Sequence, residues 1–177
     1  MQASDPSGMV WWPRYSTKAF PAYQFLPGRT PHPRRHPLGH SFGQPDPSTL
    51  PFAPEQWASS EAYLYGVDLY NCGYWWESHE IFEGLWHACG RRTPAGNFFQ
   101  ALIQFAGANL KRALDNELAA RNLARYGLAR LQNSPAHYMG LHTAAFAGHM
   151  MLWLNHSRPY VPIDLALPGN AEENGRQ

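Results

Sequence analysis

The sequence carries little charge. Asp, Glu, Lys and Arg make up only 15% of its 177 residues, whereas about a quarter of the residues in an ordinary soluble domain are charged. Fourteen basic residues offset 13 acidic ones, which leaves a formal net charge of +1. General nucleic-acid binders have a large excess of basic residues that bind phosphates, and this chain has no such excess. We therefore expect no nucleic-acid partner.

Cysteine and long apolar runs are also scarce. The two cysteines, Cys72 and Cys89, flank a predicted helix and would lie about 25 Å apart at 1.5 Å per residue, too far for a disulfide. Free thiols are typical of a reducing compartment. No secretory leader is visible, and every apolar stretch ends well before the roughly 20 residues that a membrane span requires. We expect a cytoplasmic protein without a membrane span.

Proline is concentrated at one end of the chain. Eleven of the 16 prolines lie in residues 1–54, and the interior Gln56–Ser134 contains only Pro94. Proline removes a backbone donor and biases the residue before it toward extended conformations, so the first fifty residues cannot form ordinary helices. The many aromatic rings of these residues can bury apolar surface, and a disordered linker would have few such rings.

These shifts in composition predict one domain with two terminal segments. The organisation we expect is an extended arm rich in Pro, His and aromatic residues that packs on the body (1–53), a helical bundle (54–158) and a C-terminal tail (159–177), with disorder at residues 1–10 and about 168–177.

Helical periodicity dominates from Pro54 onward. No stretch alternates with period two for long enough to predict a strand. Short loops between successive helices favour antiparallel neighbours, so we predict an all-α fold, a compact antiparallel bundle of about five helices. The predicted helices run over about Pro54–Asn71, Tyr74–Cys89, Asn97–Asp115, Glu117–Gln132 and Pro135–Asn155.

The second predicted helix carries the pattern H-E-x-x-E. His79 and Glu83 are one turn apart, about 40° from each other on a helical wheel, and lie between tryptophans. Apolar residues almost all round this helix predict that it is central. Only a narrow strip near Glu77 and Gly84 looks suited to water.

Three interpretations of this pattern stay open. In the first, His79 and Glu83 bind one divalent metal ion (Zn, Mn or Fe), Glu80 is the general base, and His87 or His40 completes the metal's shell. In the second, His79 donates a hydrogen bond to Glu83 inside an aromatic core and performs no chemistry. In the third, the same groups act as acid and base without a metal.

The arm contains a second group of histidines. His32, His36 and His40 are spaced four residues apart. In an extended chain neighbouring histidines would be about 13 Å apart, so they share a site only if turns fold the segment. One hypothesis is a structural loop, and the other is an arm that delivers one histidine to the face of His79 and Glu83.

Two motifs give the chain a family resemblance. They are the run L-Y-N-x-G-Y-W-W-E-S-H-E-x-x-E-x-L-W-H over Leu69–His87 and F-x-Q-A-L-I-Q-x-A over Phe98–Ala106. With them the chain resembles the DUF309 family, small all-helical proteins of unassigned function. The resemblance implies a helical fold and a polar site built around His79, Glu80 and Glu83. Members have been labelled metal-dependent hydrolases without an established substrate.

Two functions follow as expectations. The first is a metal-dependent hydrolase that uses the His/Glu site of the second helix. The alternative is a non-enzymatic binding or assembly module in which the same side chains form a buried hydrogen-bond network. The partner is an unknown small molecule or protein, and a homo-oligomer stays open.

Overall fold

The fold is helical, as expected. The computed structural model describes residues 12–45 and 49–168, and in this part of the chain helices pack on helices beside one two-stranded ribbon, which confirms the all-α prediction. A 3-10 helix, Pro54–Ser59, precedes the bundle. The remaining elements are α1 (Glu61–Asn71), α2 (Trp75–Ala88), α3 (Pro94–Ala113), α4 (Glu117–Leu131), β1 (His137–Tyr138), β2 (Leu141–His142) and α5 (Thr143–Leu154).

The prediction of one helix over Pro54–Asn71 is wrong. The backbone is extended at Ser60, with φ −83° and ψ 94°, and this residue separates the 3-10 helix from α1. The Ser60 side chain accepts a hydrogen bond from the backbone N–H of Tyr63, which satisfies one of the free donors at the start of a helix. Ser60 is therefore an N-cap rather than an interior helical residue.

The fifth helix begins later than predicted, because residues 137–142 form a hairpin. Met139 and Gly140 at its turn both have positive φ, 46° and 79°, as the tight turns of two-residue hairpins require. A Cβ on Gly140 would lie 2.5 Å from the Trp57 ring, so glycine also allows the turn to pack there. The prediction of no strand misses this element, whose strands are two residues each and too short for an alternating pattern.

Helix α2 packs between α1 and α3, as its apolar residues predicted, and α1 is buried along most of its length. Every residue from Tyr63 to Asn71 is buried. Helix α2 packs closely against α1: a Cβ on Gly66 would lie 2.7 Å from the Phe82 ring, closer than side chains normally approach. Helix α2 therefore has one face on α1 and keeps another for the site.

Asp68 of α1 fastens the arm to the bundle. Its carboxylate is buried and accepts hydrogen bonds from the backbone N–H groups of Tyr15 and Ser16, at 2.8 and 2.9 Å, and from Arg14 Nε at 2.9 Å. A buried carboxylate is costly unless it is paired in this way. Asp68 thus fixes the course of the arm over α1.

Asn71 holds the C-terminal segment in the same manner. Its side-chain amide donates to the carbonyl of Ile163 and accepts from the N–H of Ile163, both at 2.8 Å. Val161 and Ile163 are fully buried, so this part of the chain contributes to the core. The disorder predicted for the chain ends falls, apart from Pro168, outside the described residues.

The described helices also bear on the membrane prediction. None of them combines the length and the apolar character that crossing a bilayer requires.

Tyr15 joins the arm to the C-terminal segment. Its hydroxyl donates to Asp164 Oδ1 at 3.1 Å and accepts from the N–H of Leu165 at 2.9 Å. Burial is the main cause that raises the pKa of Tyr15 to about 12, and the nearby Asp164 carboxylate acts in the same direction. The folded state thus favours the neutral phenol, and this contribution to stability is present below pH 10 and lost as the pH rises toward 12.

Removal of the Tyr15 hydroxyl should therefore lower the free energy of unfolding less at high pH than at neutral pH. At pH 8 we expect Tyr15→Phe to lower the free energy of unfolding by about 1–2 kcal/mol through the two lost hydrogen bonds. At pH 11 the gap between the two proteins should shrink by about 0.5–1 kcal/mol, a value reduced for the partial exposure of the ring. Urea unfolding at both pH values measures the gap, and an equal gap at pH 8 and 11 would contradict the assignment.

Candidate metal centre and the arm cleft

Three side chains of α2 form a cluster. Each of His79, Glu80 and Glu83 offers one ligand atom, and these atoms all lie within 4.8 Å of one another. His79 Nδ1 is 3.5 Å from Glu80 Oε1. Residues i and i+4 share one face of a helix, which explains how His79 and Glu83 come together. The side chains of Glu80 and Glu83 are 38% and 44% exposed, so solvent ions reach them.

His79 is held from one side by an aromatic ring. It stacks on Trp76 with ring centroids 6.0 Å apart and planes 15° from parallel. Its Nδ1 atom is buried and makes no hydrogen bond. The predicted hydrogen bond between His79 and Glu83 is not found in the described residues, so the buried strut expected from the sequence does not have the geometry that its hypothesis requires.

A buried His/Glu pair does exist, but it joins Glu77 of α2 to His40 of the arm. Glu77 Oε1 lies 3.1 Å from His40 Nε2 and accepts from the N–H of Phe25 at 2.9 Å. Both side chains are only 8% exposed. The expectation that the strip near Glu77 faces water is therefore wrong, because the arm covers it. A helical wheel of α2 shows only residues of α2, so it could not predict a contact between Glu77 and the arm.

The arm folds into turns, and these turns place His40 beside Glu77. The ring nitrogen of His32 accepts from the N–H groups of Arg34 and Arg35, and that of His36 accepts from the N–H of Leu38. Each of these two histidines thus serves its own turn. The arm does deliver one histidine to α2, but His40 meets Glu77 rather than His79 and Glu83.

His87 lies one turn beyond Glu83. Its Nε2 atom is 4.0 Å from Glu83 Oε1, and its Nδ1 atom accepts from Arg91 Nε at 3.0 Å. The guanidinium of Arg91 also lies over the Trp86 ring, 4.9 Å from its centroid. Arg91 Nη2 also lies 3.2 Å from His87 Nε2, so Arg91 contacts both ring nitrogens of His87 and holds the ring beside Glu83.

A cleft of about 630 Å³ separates α2 from the arm. We call it the arm cleft; its lining includes Glu77, Glu80, Glu83 and His87 of α2, and Lys18 and His40 of the arm. Two members of the cluster thus line this cleft. Trp76, Ile81 and Phe20 add apolar surface to it. The arrangement combines ligating groups with a space that a small molecule can enter.

Comparison with known families finds a match for part of the helical body. Residues 63–123 match the profile of a domain of unknown function, DUF309. Over these residues the chain is similar to the DUF309 family. The matched stretch contains α1 from Tyr63 onward, α2, α3 and the first part of α4, and with them His79, Glu80 and Glu83. His40 and Lys18, on the other wall of the arm cleft, lie outside the matched DUF309 residues. No curated protein matches the chain.

Sequence reasoning missed the two anchoring carboxylates, Asp68 and Glu77. A signal was present, because each is an acidic residue among apolar residues of a helix, and a charge in such a position needs a partner. The partners are backbone N–H groups of the arm and the side chains of Arg14 and His40, which no side-chain pattern identifies.

Proposed function

We propose that the protein is a divalent-metal-dependent hydrolase whose centre is the cluster on α2. The supporting observation is the convergence of three ligand atoms, one from each of His79, Glu80 and Glu83, within 4.8 Å of one another, with Glu80 and Glu83 in the wall of the arm cleft. The donor set fits such an ion, since one imidazole nitrogen and two carboxylate oxygens suit Zn, Mn and Fe. His79 Nδ1, which makes no hydrogen bond, is consistent with a ligating ring.

The residues divide the work as follows. His79 and Glu83 would hold the ion, and Glu80 acts as a third ligand or as the base that takes a proton from water. The bound ion would supply Lewis acidity, which lowers the pKa of a water molecule and polarises a carbonyl or phosphoryl oxygen. His87 Nε2, which lies 4.0 Å from Glu83, would complete the shell or orient that carboxylate after giving up its contact with Arg91. His40 would have to leave Glu77 before it could serve as a ligand.

Elemental analysis of untagged protein tests the centre. We expect about one equivalent of metal in the wild type after loading with Zn, Mn or Fe, and an affinity at least about 10-fold lower in His79→Ala and in Glu83→Gln. His156→Ala is the control, because this exposed histidine lies next to Glu117, away from the cluster. A wild type that takes up none of the three metals would remove the proposal.

Glu80→Gln separates the two roles of Glu80. If the carboxylate is the base, metal content stays at the wild-type level while hydrolysis of an activated ester falls by about 10² or more. If it is a ligand, metal affinity falls together with activity. Thermal unfolding supplies the control. The side chains of Glu80 and Glu83 are 38% and 44% exposed, so neither Glu80→Gln nor Glu83→Gln should lose more than about 1 kcal/mol of stability.

A further inference from the structure

A second cavity adjoins the arm cleft. Its volume is about 520 Å³, and its walls come from residues 49–52, from the 3-10 helix and from the start of α1. Lys18, Tyr65 and Ile81 line both spaces. The two cavities therefore border the same three side chains, and we call the two together the groove; the cluster lies on the side of the arm cleft.

The ammonium group of Lys18 is positioned at this junction. Its Nζ atom lies 4.6 Å from the centroid of the Tyr65 ring, a cation-π contact. The described residues place no carboxylate within ion-pair distance of it, although Glu77, Glu80 and Glu83 line the same cleft. Lysine is also rare in this chain, since only Lys18 and Lys111 are present.

The backbone around Lys18 is fixed. The N–H of Lys18 donates to Ser16 Oγ at 3.1 Å, and its carbonyl accepts from Arg14 Nη2 at 2.5 Å. Ser16 and Arg14 are both hydrogen-bonded to the buried carboxylate of Asp68. The bundle thus determines where this lysine enters the groove, even though the lysine belongs to the arm.

The other charged side chains of the groove differ in their contacts, and one of them, the exposed Glu61, lines the second cavity without an ion pair among the described residues. Glu77 accepts from His40 and from the N–H of Phe25, and the guanidinium of Arg34 donates to the carbonyls of Gln44 and Pro45. Glu80 and Glu83 belong to the proposed centre. Lys18 is left as a cation whose ring contact satisfies one side of the ammonium and leaves the rest open to the groove.

We propose that Lys18 binds an anionic group, a carboxylate or a phosphate, of an elongated substrate. The bond to be hydrolysed lies at the cluster, the anion lies at the junction, and an apolar or mixed segment continues along Ile81 into the second cavity. This assignment rests on the proposed hydrolase function and names the class of its substrate. Lys18 is a specificity-determining residue, with no part in the bond cleavage.

Binding of probes that cannot be hydrolysed tests the assignment on the full chain. The carboxylate pair is 4-phenylbutyrate and its neutral amide; the phosphonate pair is 3-phenylpropylphosphonate and its neutral dimethyl ester. We expect the anion of at least one pair to bind about fivefold more tightly than its neutral partner, a size typical of a charge-assisted contact at a partly exposed site. The pair that shows the preference tells a carboxylate substrate from a phosphate one.

The variants Lys18→Met and Lys18→Arg complete the experiment. Methionine keeps the aliphatic stem and should abolish the preference, whereas arginine should retain it. Equal affinities within both pairs in the wild type, or a preference that survives in Lys18→Met, would overturn the assignment of Lys18. Calorimetric titrations run with and without added zinc keep the two proposals apart: a Lys18-dependent preference in a protein that takes up no metal would overturn the hydrolase and leave the anion site standing.

Discussion

Asp68→Asn will lower the free energy of unfolding by about 2–4 kcal/mol. The buried carboxylate accepts three hydrogen bonds from the arm, and an amide at this position would direct its NH₂ group at donors. Arg14 is 31% exposed and regains some hydration, which keeps the loss below that of a fully buried pair. Urea unfolding measures the change, and limited proteolysis near residues 14–18 should become faster.

Asp115→Asn is the matched control for this variant. Asp115 also pairs with an arginine, Arg29, at 3.3 Å, but its side chain is 90% exposed. It has a positive φ of 59°, which asparagine tolerates as well as aspartate. We expect a change of no more than about 0.5 kcal/mol. If Asp68→Asn and Asp115→Asn lost the same free energy of unfolding, the buried contacts of Asp68 would stabilise the fold no more than an exposed ion pair does.

Deletion of residues 1–45 will have the larger effect. It uncovers Asp68 and Glu77 and removes buried Phe25, which packs edge-on against Trp76 with ring centroids 5.0 Å apart. The loss of the arm's buried packing and hydrogen bonds and the exposure of aromatic rings act together, so we expect the melting temperature to fall by more than about 10 °C and the protein to aggregate.

The control for this truncation is deletion of residues 1–11, which precede the contacts described above. We expect it to leave the melting temperature within about 2 °C of the wild type, because it removes none of the contacts described above. Light scattering and thermal unfolding follow both truncations. A protein without residues 1–45 that stays monodisperse and melts like the wild type would show that the arm is only an appendage.

The sequence allowed the helical body to be predicted, because its signals are local. Apolar periodicity located α2, α3 and α4, and the spacing of His79 and Glu83 placed them on one face of α2. Their role as ligands stays a prediction, and so does the alternative of a binding or assembly module.

Other features depend on contacts between distant parts of the chain. The wheel of α2 left Glu77 for solvent because its partners, Phe25 and His40, come from the arm. The hairpin at Met139 and Gly140 interrupts residues that read as helical, and its turn packs on Trp57, far away in sequence. No periodicity within one segment carries such information.

The hydrogen bond between Tyr15 and Leu165 also has a consequence for the order of folding. It closes a loop of about 150 residues, and the entropic cost of closing a loop rises with its length. Helices α1 to α4 join through short connections, so their contacts can form first. We therefore expect the arm and the segment around Leu165 to dock last, on a body that is already built. On this order the arm cleft, with Lys18 in its wall, forms only at the final step of folding.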